Sequence, residues 1–173
     1  MIAAREGKID VITKSLKRHV DIYQKDSDGL TALAYAARAN QTKAIEMILN
    51  ADALDVTTEP LIDLADLYGA TPLIHAVRAG HSAAIELLLK RGADLDIRTK
   101  DDMSACLAAT LHNQTEALKT LLHAGADFNE KHSHFLTDFG RKTIIDFKKE
   151  IRELVLLQLS RDTTSVVMEY FLI

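Results

Sequence analysis

The chain has 173 residues, almost half of them apolar, which is enough to bury a core in one globular domain or one short array. Its formal net charge is −4, so it lacks the basic excess of chains that bind nucleic acid or anionic membrane. No run reaches the roughly 18 apolar residues that a membrane span needs, and the N-terminus lacks the layout of a signal peptide.

Residues 2–25 predict a short helix, a turn and a second helix. Ala3-Ala4-Arg5-Glu6-Gly7 fits the end of a helix and its turn, and Ile9, Ile12 and Leu16 form the apolar face of the helix that follows. The front of this unit is missing: the hairpin and most of the first helix. We therefore expect that the chain begins inside a longer protein or has lost upstream units.

Residues 26–56 predict a more complete unit of the same kind. Asp28-Gly29 is a turn signal, and Thr31 precedes a helix with an apolar face. A second helix follows, with its own apolar face. The predicted core residues of the two helices are Leu33, Ala36, Ala37, Ala44, Ile45, Ile48 and Leu49.

An insertion separates this unit from the next one. Thr31 and Thr71 are 40 residues apart, seven more than the 33 that separate other equivalent positions. The excess falls at residues 57–64, and its apolar members Leu61, Ile62 and Leu64 are expected to pack against the array. Two interpretations stay open: a tolerated loop, or a contact for a partner.

Residues 66–98 form the clearest unit. Thr71 predicts a helix N-cap, and Pro72 suits the first helical position because no backbone N–H is needed there. Gly80 is expected to end this first helix, and Gly92 to end the second.

Residues 99–131 repeat the pattern at a fixed spacing. Gly92-Ala93-Asp94 recurs 33 residues later as Gly125-Ala126-Asp127, and Ser104 takes the place of Thr71. A fixed period of this length is typical of a repeat array. Residues 132–173 depart from it, and helical apolar spacing predicts a capping helix or helix pair from about 141 to 160.

Several of these motifs resemble the ankyrin repeat. They are Asp66-x-x-Gly69-x-Thr71-Pro72-Leu73, Gly80-His81 and Gly92-Ala93-Asp94, all in one register. The resemblance covers residues 1–131, as a partial repeat (2–25) and three repeats (26–56, 66–98 and 99–131). It implies an all-α solenoid of helix-turn-helix units with hairpin-like loops, closed by a divergent C-terminal region at 132–173.

The resemblance also implies a non-catalytic module that binds a partner protein or peptide through its concave groove and hairpin tips. By register, the positions expected to contact the partner are Asp28, Leu30, Arg38, Leu67, Tyr68, Arg78, Asp101, Met103, Leu111 and His112. Leu67 and Tyr68, beside the insertion, are the favoured hot spot, because aromatic anchors are enriched in interfaces. His75 falls one residue beyond the usual histidine, toward the ligand-bearing face.

Other chemistry finds little support in the sequence. His132 and His134 make only a weak metal motif, because structural zinc needs four ligands and no cysteine pair exists. No phosphate-binding glycine loop or nucleophile elbow is present. Cys106, the only cysteine, is expected to be a small buried hydrophobe. No cofactor, catalytic residue or metal ligand is therefore predicted.

Location and assembly are predicted more coarsely. A single cysteine fits a reducing compartment, so we expect the protein in the cytoplasm, with the nucleus or a host cell's cytosol as alternatives for this type of protein. We also expect it to be monomeric. The alternative function is a substrate-recruiting fragment of a larger multidomain enzyme, or a secreted bacterial effector.

Overall fold

The computed structural model describes residues 1–52 and 60–126, together with Lys142, Ile145, Asp146 and Lys149. In this part of the chain all regular structure is helical, as the sequence predicts. The α-helices are α1 (Ile2–Arg5), α2 (Ile9–Lys17), α3 (Ala32–Arg38), α4 (Thr42–Asp52), α5 (Pro72–Ala79), α6 (Ser82–Lys90), α7 (Ala105–Leu111) and α8 (Thr115–His123). One 3-10 helix, Leu61–Asp63, precedes α5.

Hydroxyl caps begin three of the helices, which confirms the predicted start of α5. The side-chain oxygens of Thr31, Thr71 and Ser104 each accept from the backbone N–H three residues on, at 3.2, 3.3 and 3.2 Å. Each bond satisfies one of the amides that a helix start leaves without a partner inside the helix. Pro72 occupies the first helical position of α5.

Residues with positive φ recur at most of the described turns between helices. Gly80 ends α5 in the left-handed conformation, at φ 72°. The matching turns after α3 and α7 use Asn40 and Asn113, both at φ 55°. After the second helices, Gly92 (φ 87°) and His19 (φ 53°) take equivalent positions. The predicted helix ends at Gly80 and Gly92 are therefore confirmed.

The helices form two rows with the core between them. Helices α1, α3, α5 and α7 pack side by side as a first row, and α2, α4, α6 and α8 form a second row behind it. The first row contributes mainly small residues to the core, which allows the rows to approach closely. Fully buried examples from both rows are Ala36, Ala37, Ala76, Ala109, Ile45, Ile85, Leu88, Leu118 and Leu121.

The described part of the insertion packs against the array, as predicted. Leu61 is fully buried, Ile62 is buried and Leu64 is half-buried. One oxygen of Asp63 accepts from the backbone N–H of Asp94 at 3.0 Å, which connects the 3-10 helix to the loop after α6. Burial raises the pKa of the Asp63 carboxyl.

The ends of the chain are described unequally. At the N-terminal end, Ala4 of α1 and Ile12 of α2 are buried against the next unit. The expected capping region falls mostly outside the described residues; Lys142, Ile145, Asp146 and Lys149 are helical and exposed. Within the described residues, the helices are too short or too polar to traverse a lipid bilayer.

Candidate partner-binding surface

An aspartate folds the hairpin that precedes α5. One oxygen of the Asp66 carboxylate, Oδ1, accepts from the backbone N–H groups of Tyr68 and Ala70, both at 2.8 Å. The Asp66 N–H in turn donates to the Ala70 carbonyl at 3.0 Å, and the Gly69 N–H donates to the Asp66 carbonyl. The tip residues Leu67 and Tyr68 are left 55% and 64% exposed. An apolar pair is thus held in water on a backbone fixed by hydrogen bonds.

The hairpin before α3 has the same construction. Asp26 Oδ1 accepts from the N–H groups of Asp28 and Leu30, both at 2.9 Å. In the hairpin before α7 a threonine replaces the aspartate: Thr99 Oγ1 accepts from the Met103 N–H at 3.2 Å. The hairpin therefore keeps its backbone pairing when the acidic residue is absent.

The second oxygen of each aspartate binds a side chain on the following helix. His75 Nε2 lies 2.9 Å from Asp66 Oδ2, with both side chains buried. The Tyr35 hydroxyl donates to Asp26 Oδ2 at 2.7 Å. These pairs tie the hairpins to α5 and α3. In the fourth repeat, Thr99 and the buried Ala108 occupy the same two positions, so that the tie is missing there.

The two pairs differ in their titration. Burial lowers the pKa of His75, although the nearby Asp66 carboxylate opposes this shift. The ring is therefore neutral near pH 7, and its Nε2–H donates to Asp66. The hydrogen bond from the Tyr35 hydroxyl lowers the pKa of Asp26, and the same bond raises the pKa of Tyr35.

Neighbouring hairpins are joined tip to tip by backbone hydrogen bonds. The Leu67 N–H donates to the Asp28 carbonyl at 3.0 Å, and the Lys100 N–H donates to the Tyr68 carbonyl at 2.9 Å. The close approach needs a residue without a Cβ at Gly69, where an added Cβ would lie 2.9 Å from the Lys100 nitrogen. The tips therefore form one continuous edge along the array.

The structure exposes most of the positions predicted to face a partner. Seven of them are exposed: Asp28, Arg38, Leu67, Tyr68, Asp101, Leu111 and His112. Arg78 and Met103 are half-buried, and Arg78 Nη2 lies 3.5 Å from Met103 Sδ. The exposed positions lie on the hairpin tips and at the ends of the first-row helices α3 and α7.

Two expectations about this surface are wrong. Leu30 is only 6% exposed, because its N–H and carbonyl both pair with Asp26 and place it at the buried base of the hairpin. His75 is 8% exposed and binds Asp66, so it supports the hairpin from below and is not on the ligand-bearing face.

Sequence reasoning missed the aspartate ties and one arginine. The signal for the ties was present as an aspartate followed nine residues later by a hydrogen-bonding aromatic ring, in Asp26 with Tyr35 and Asp66 with His75. The missed arginine is Arg5, which ends α1 as Arg38 ends α3. Among the described residues, no group of three or more His, Cys, Asp or Glu side chains is placed to hold a metal ion. His132 and His134 lie outside them.

Comparison with known families agrees with the repeat pattern. A family model described as ankyrin repeats (3 copies) matches residues 1–99 and residues 57–132, which together are more than half of the chain. A comparison with curated proteins gave no match.

Proposed function

Because the chain belongs to the ankyrin-repeat family, whose repeats generally mediate protein–protein interactions, we propose that it binds a partner protein through one defined surface. This surface, called the groove below, comprises the hairpin tips and the ends of the first-row helices. Its members are Asp28, Arg38, Leu67, Tyr68, Arg78, Asp101, Met103, Leu111 and His112. The family is typically non-catalytic, and we propose that this chain has no catalytic activity of its own.

The exposed apolar pair at the second hairpin tip carries the proposal. Leu67 and Tyr68 gain nothing for the fold by being left 55% and 64% exposed. The hydrogen bonds that the Asp66 carboxylate accepts, and those between the tips, fix their backbone before any partner binds. A fixed anchor loses little conformational entropy on binding, so more of its contact energy appears as affinity.

We also propose that the protein is monomeric and acts in the cytoplasm. Cys106 is buried and, as the single cysteine of the chain, forms no disulfide within it, which suits a compartment that keeps thiols reduced.

A peptide-display selection on the immobilised full chain tests the proposal. Selected peptides are then titrated against the double variant Leu67→Ala/Tyr68→Ala. We expect affinity to fall at least about tenfold, because truncating central anchors commonly costs about 2 kcal/mol or more. Val11→Ala is the control, since Val11 is an apolar residue of α2 that is 46% exposed outside the groove. If every selected peptide bound the double variant as tightly as the native chain, the proposed function would be wrong.

A further inference from the structure

Arginine recurs at the same place in three successive units. Arg5, Arg38 and Arg78 each lie in the last turn of a first-row helix, and Leu111 holds this place in the fourth unit. Helix α3 packs against both α1 and α5, so the three arginines form a line along the array. We call this line the arginine row.

The arginine row lacks strong ion-pair partners within the described residues. Arg38 and Arg78 have no carboxylate within salt-bridge distance there, and the side-chain contact of Arg78 is with the sulfur of Met103. Arg5 lies 3.9 Å from Glu6, a carboxylate that Lys8 holds more closely at 2.6 Å. The row therefore leaves positive charge available to a partner.

The two hairpin aspartates are already engaged elsewhere. Both oxygens of Asp26 and both oxygens of Asp66 accept hydrogen bonds from the hairpin backbone and from the ring on the following helix. Arg38 and Arg78 still lie close enough to His75 for their charges to act with burial in lowering its pKa. Among the described residues, the two guanidinium groups thus lie near His75 without direct contact to a carboxylate.

The spacing of the arginine row matches the repeat distance of an extended peptide. Packed helices lie about 8–10 Å apart, so the backbone positions that carry successive arginines are expected at about that spacing. An extended peptide rises about 3.3 Å per residue, and every third residue therefore advances by about 10 Å. A planar guanidinium pairs with a carboxylate through two parallel hydrogen bonds.

This inference rests on the proposed function. We propose that the groove, extended by Arg5 at the end of α1, binds an acidic protein segment in an extended conformation. Carboxylates at every third residue of the segment pair with Arg5, Arg38 and Arg78. Apolar side chains of the segment contact the exposed tip formed by Leu67 and Tyr68.

The charges around the row favour a protein segment over a nucleic acid. Asp28 and Asp101 place exposed carboxylates within the groove, at its hairpin tips, and the whole chain has a net charge of −4. A continuous phosphate backbone would meet this negative charge at every step, whereas a peptide can space its carboxylates to match the arginines. The exposed Leu67 and Tyr68 also require apolar groups from the partner.

Three probes and the full chain test the proposal by fluorescence anisotropy. The first peptide carries three glutamates at every third residue with leucine and phenylalanine between them, and the second has the same composition with the glutamates adjacent. The third probe is a single-stranded oligouridylate. We expect the spaced peptide to bind at least about tenfold more tightly than the other two. Its affinity should fall as NaCl rises from about 0.05 to about 0.5 M.

Charge-reversal variants locate the binding. Arg38→Glu/Arg78→Glu should lower the affinity for the spaced peptide at least about tenfold, and Arg38→Gln/Arg78→Gln should lower it less. The matched control is Lys43→Glu/Lys90→Glu, which makes the same charge change in the same two repeats, at exposed lysines of the second-row helices α4 and α6. It should change affinity less than about twofold. Circular dichroism confirms that each variant is folded.

The outcomes separate this inference from the proposed function. Equal losses in the two Glu double variants, equal binding of the two peptides, absent binding of the spaced peptide, or oligouridylate binding as tight as that of the spaced peptide would each overturn the acidic-segment proposal. The proposed function would still hold if display-selected peptides bound Leu67→Ala/Tyr68→Ala more weakly than the native chain but bound the arginine variants with unchanged affinity.

Discussion

Asp66 is the residue whose removal should reveal most about how the binding surface is held. Asp66→Ala deletes the acceptor for the N–H groups of Tyr68 and Ala70, and leaves the Nε2–H of buried His75 without its partner. The exposed Tyr68 bond contributes about 1 kcal/mol, the Ala70 bond about 1.5 kcal/mol, and a buried unsatisfied donor costs about 1–3 kcal/mol. We therefore expect the free energy of unfolding to fall by about 3.5–5.5 kcal/mol.

Asp66→Asn is the matched comparison. The amide oxygen still accepts from the hairpin backbone, and neutral His75 can change tautomer and accept from the amide nitrogen. Its expected cost is about 1 kcal/mol, that of replacing charge-assisted bonds by neutral ones. Urea unfolding followed by far-UV circular dichroism measures both variants, with the slope of free energy against urea checking that cooperativity is unchanged.

A double variant isolates the cost of the unpaired histidine. Asp66→Thr/His75→Ala reproduces the Thr99 and Ala108 pair of the fourth repeat, which keeps its hairpin without the tie. It should be more stable than Asp66→Ala, because no buried donor is left unsatisfied. A loss below about 1 kcal/mol for Asp66→Ala, or equal losses for Asp66→Ala and Asp66→Asn, would show that the carboxylate does not hold the hairpin.

Three further predictions concern the same region. The pKa of His75 is lowered on folding, so the unfolded chain binds the proton first; stability is highest above the unfolded value of about 6.5 and falls as pH drops below it. His75→Tyr, which copies the pairing seen in the second repeat, should flatten this fall in urea titrations at several pH values, and parallel pH profiles would contradict it. Gly69→Ala should lower the unfolding free energy by more than Gly92→Ala. Both residues have positive φ, which costs a side chain about 1 kcal/mol. A Cβ at Gly69 also meets the next hairpin, whereas one at Gly92 meets no described residue within 4 Å. Equal losses of unfolding free energy in thermal melts would reject this account. Leu67→Ala/Tyr68→Ala should change unfolding free energy by less than about 0.5 kcal/mol in urea, because both side chains are exposed; a larger loss would mean that they support the fold.

The helices and their ends were predictable because the signals are local. Thr71 and Pro72 act within one turn of α5, and the positive φ at Gly80 and Gly92 is a property of the single residue. The burial of Leu61 was also predictable, because an apolar side chain beside a packed array is more stable in contact with it than in water.

The surface was harder to predict because it depends on pairings across the repeat. Leu30 is apolar and sits near a hairpin tip in the sequence, yet its backbone pairing with Asp26 turns it into the core. The sequence pattern places His75 on the ligand-bearing face, which is wrong, because its position depends on Asp66, nine residues earlier. Both errors have one cause. The hydrogen bonds of the Asp26 and Asp66 carboxylates to the hairpin backbone and to the following helix are seen only in the three-dimensional structure.

The hairpin separates what determines the fold from what can determine the partner. Asp66 binds backbone N–H groups, which every residue except proline supplies, so the side chains of Leu67 and Tyr68 play no part in closing the hairpin. The tip-to-tip bonds between Leu67 and Asp28, and between Lys100 and Tyr68, also use backbone atoms alone. The tips can therefore change their side chains without changing the edge that presents them. The side chains at the tips are therefore free to determine the partner. The repeat motifs identify the family, whereas the contribution of each tip residue to binding must be measured by substitution.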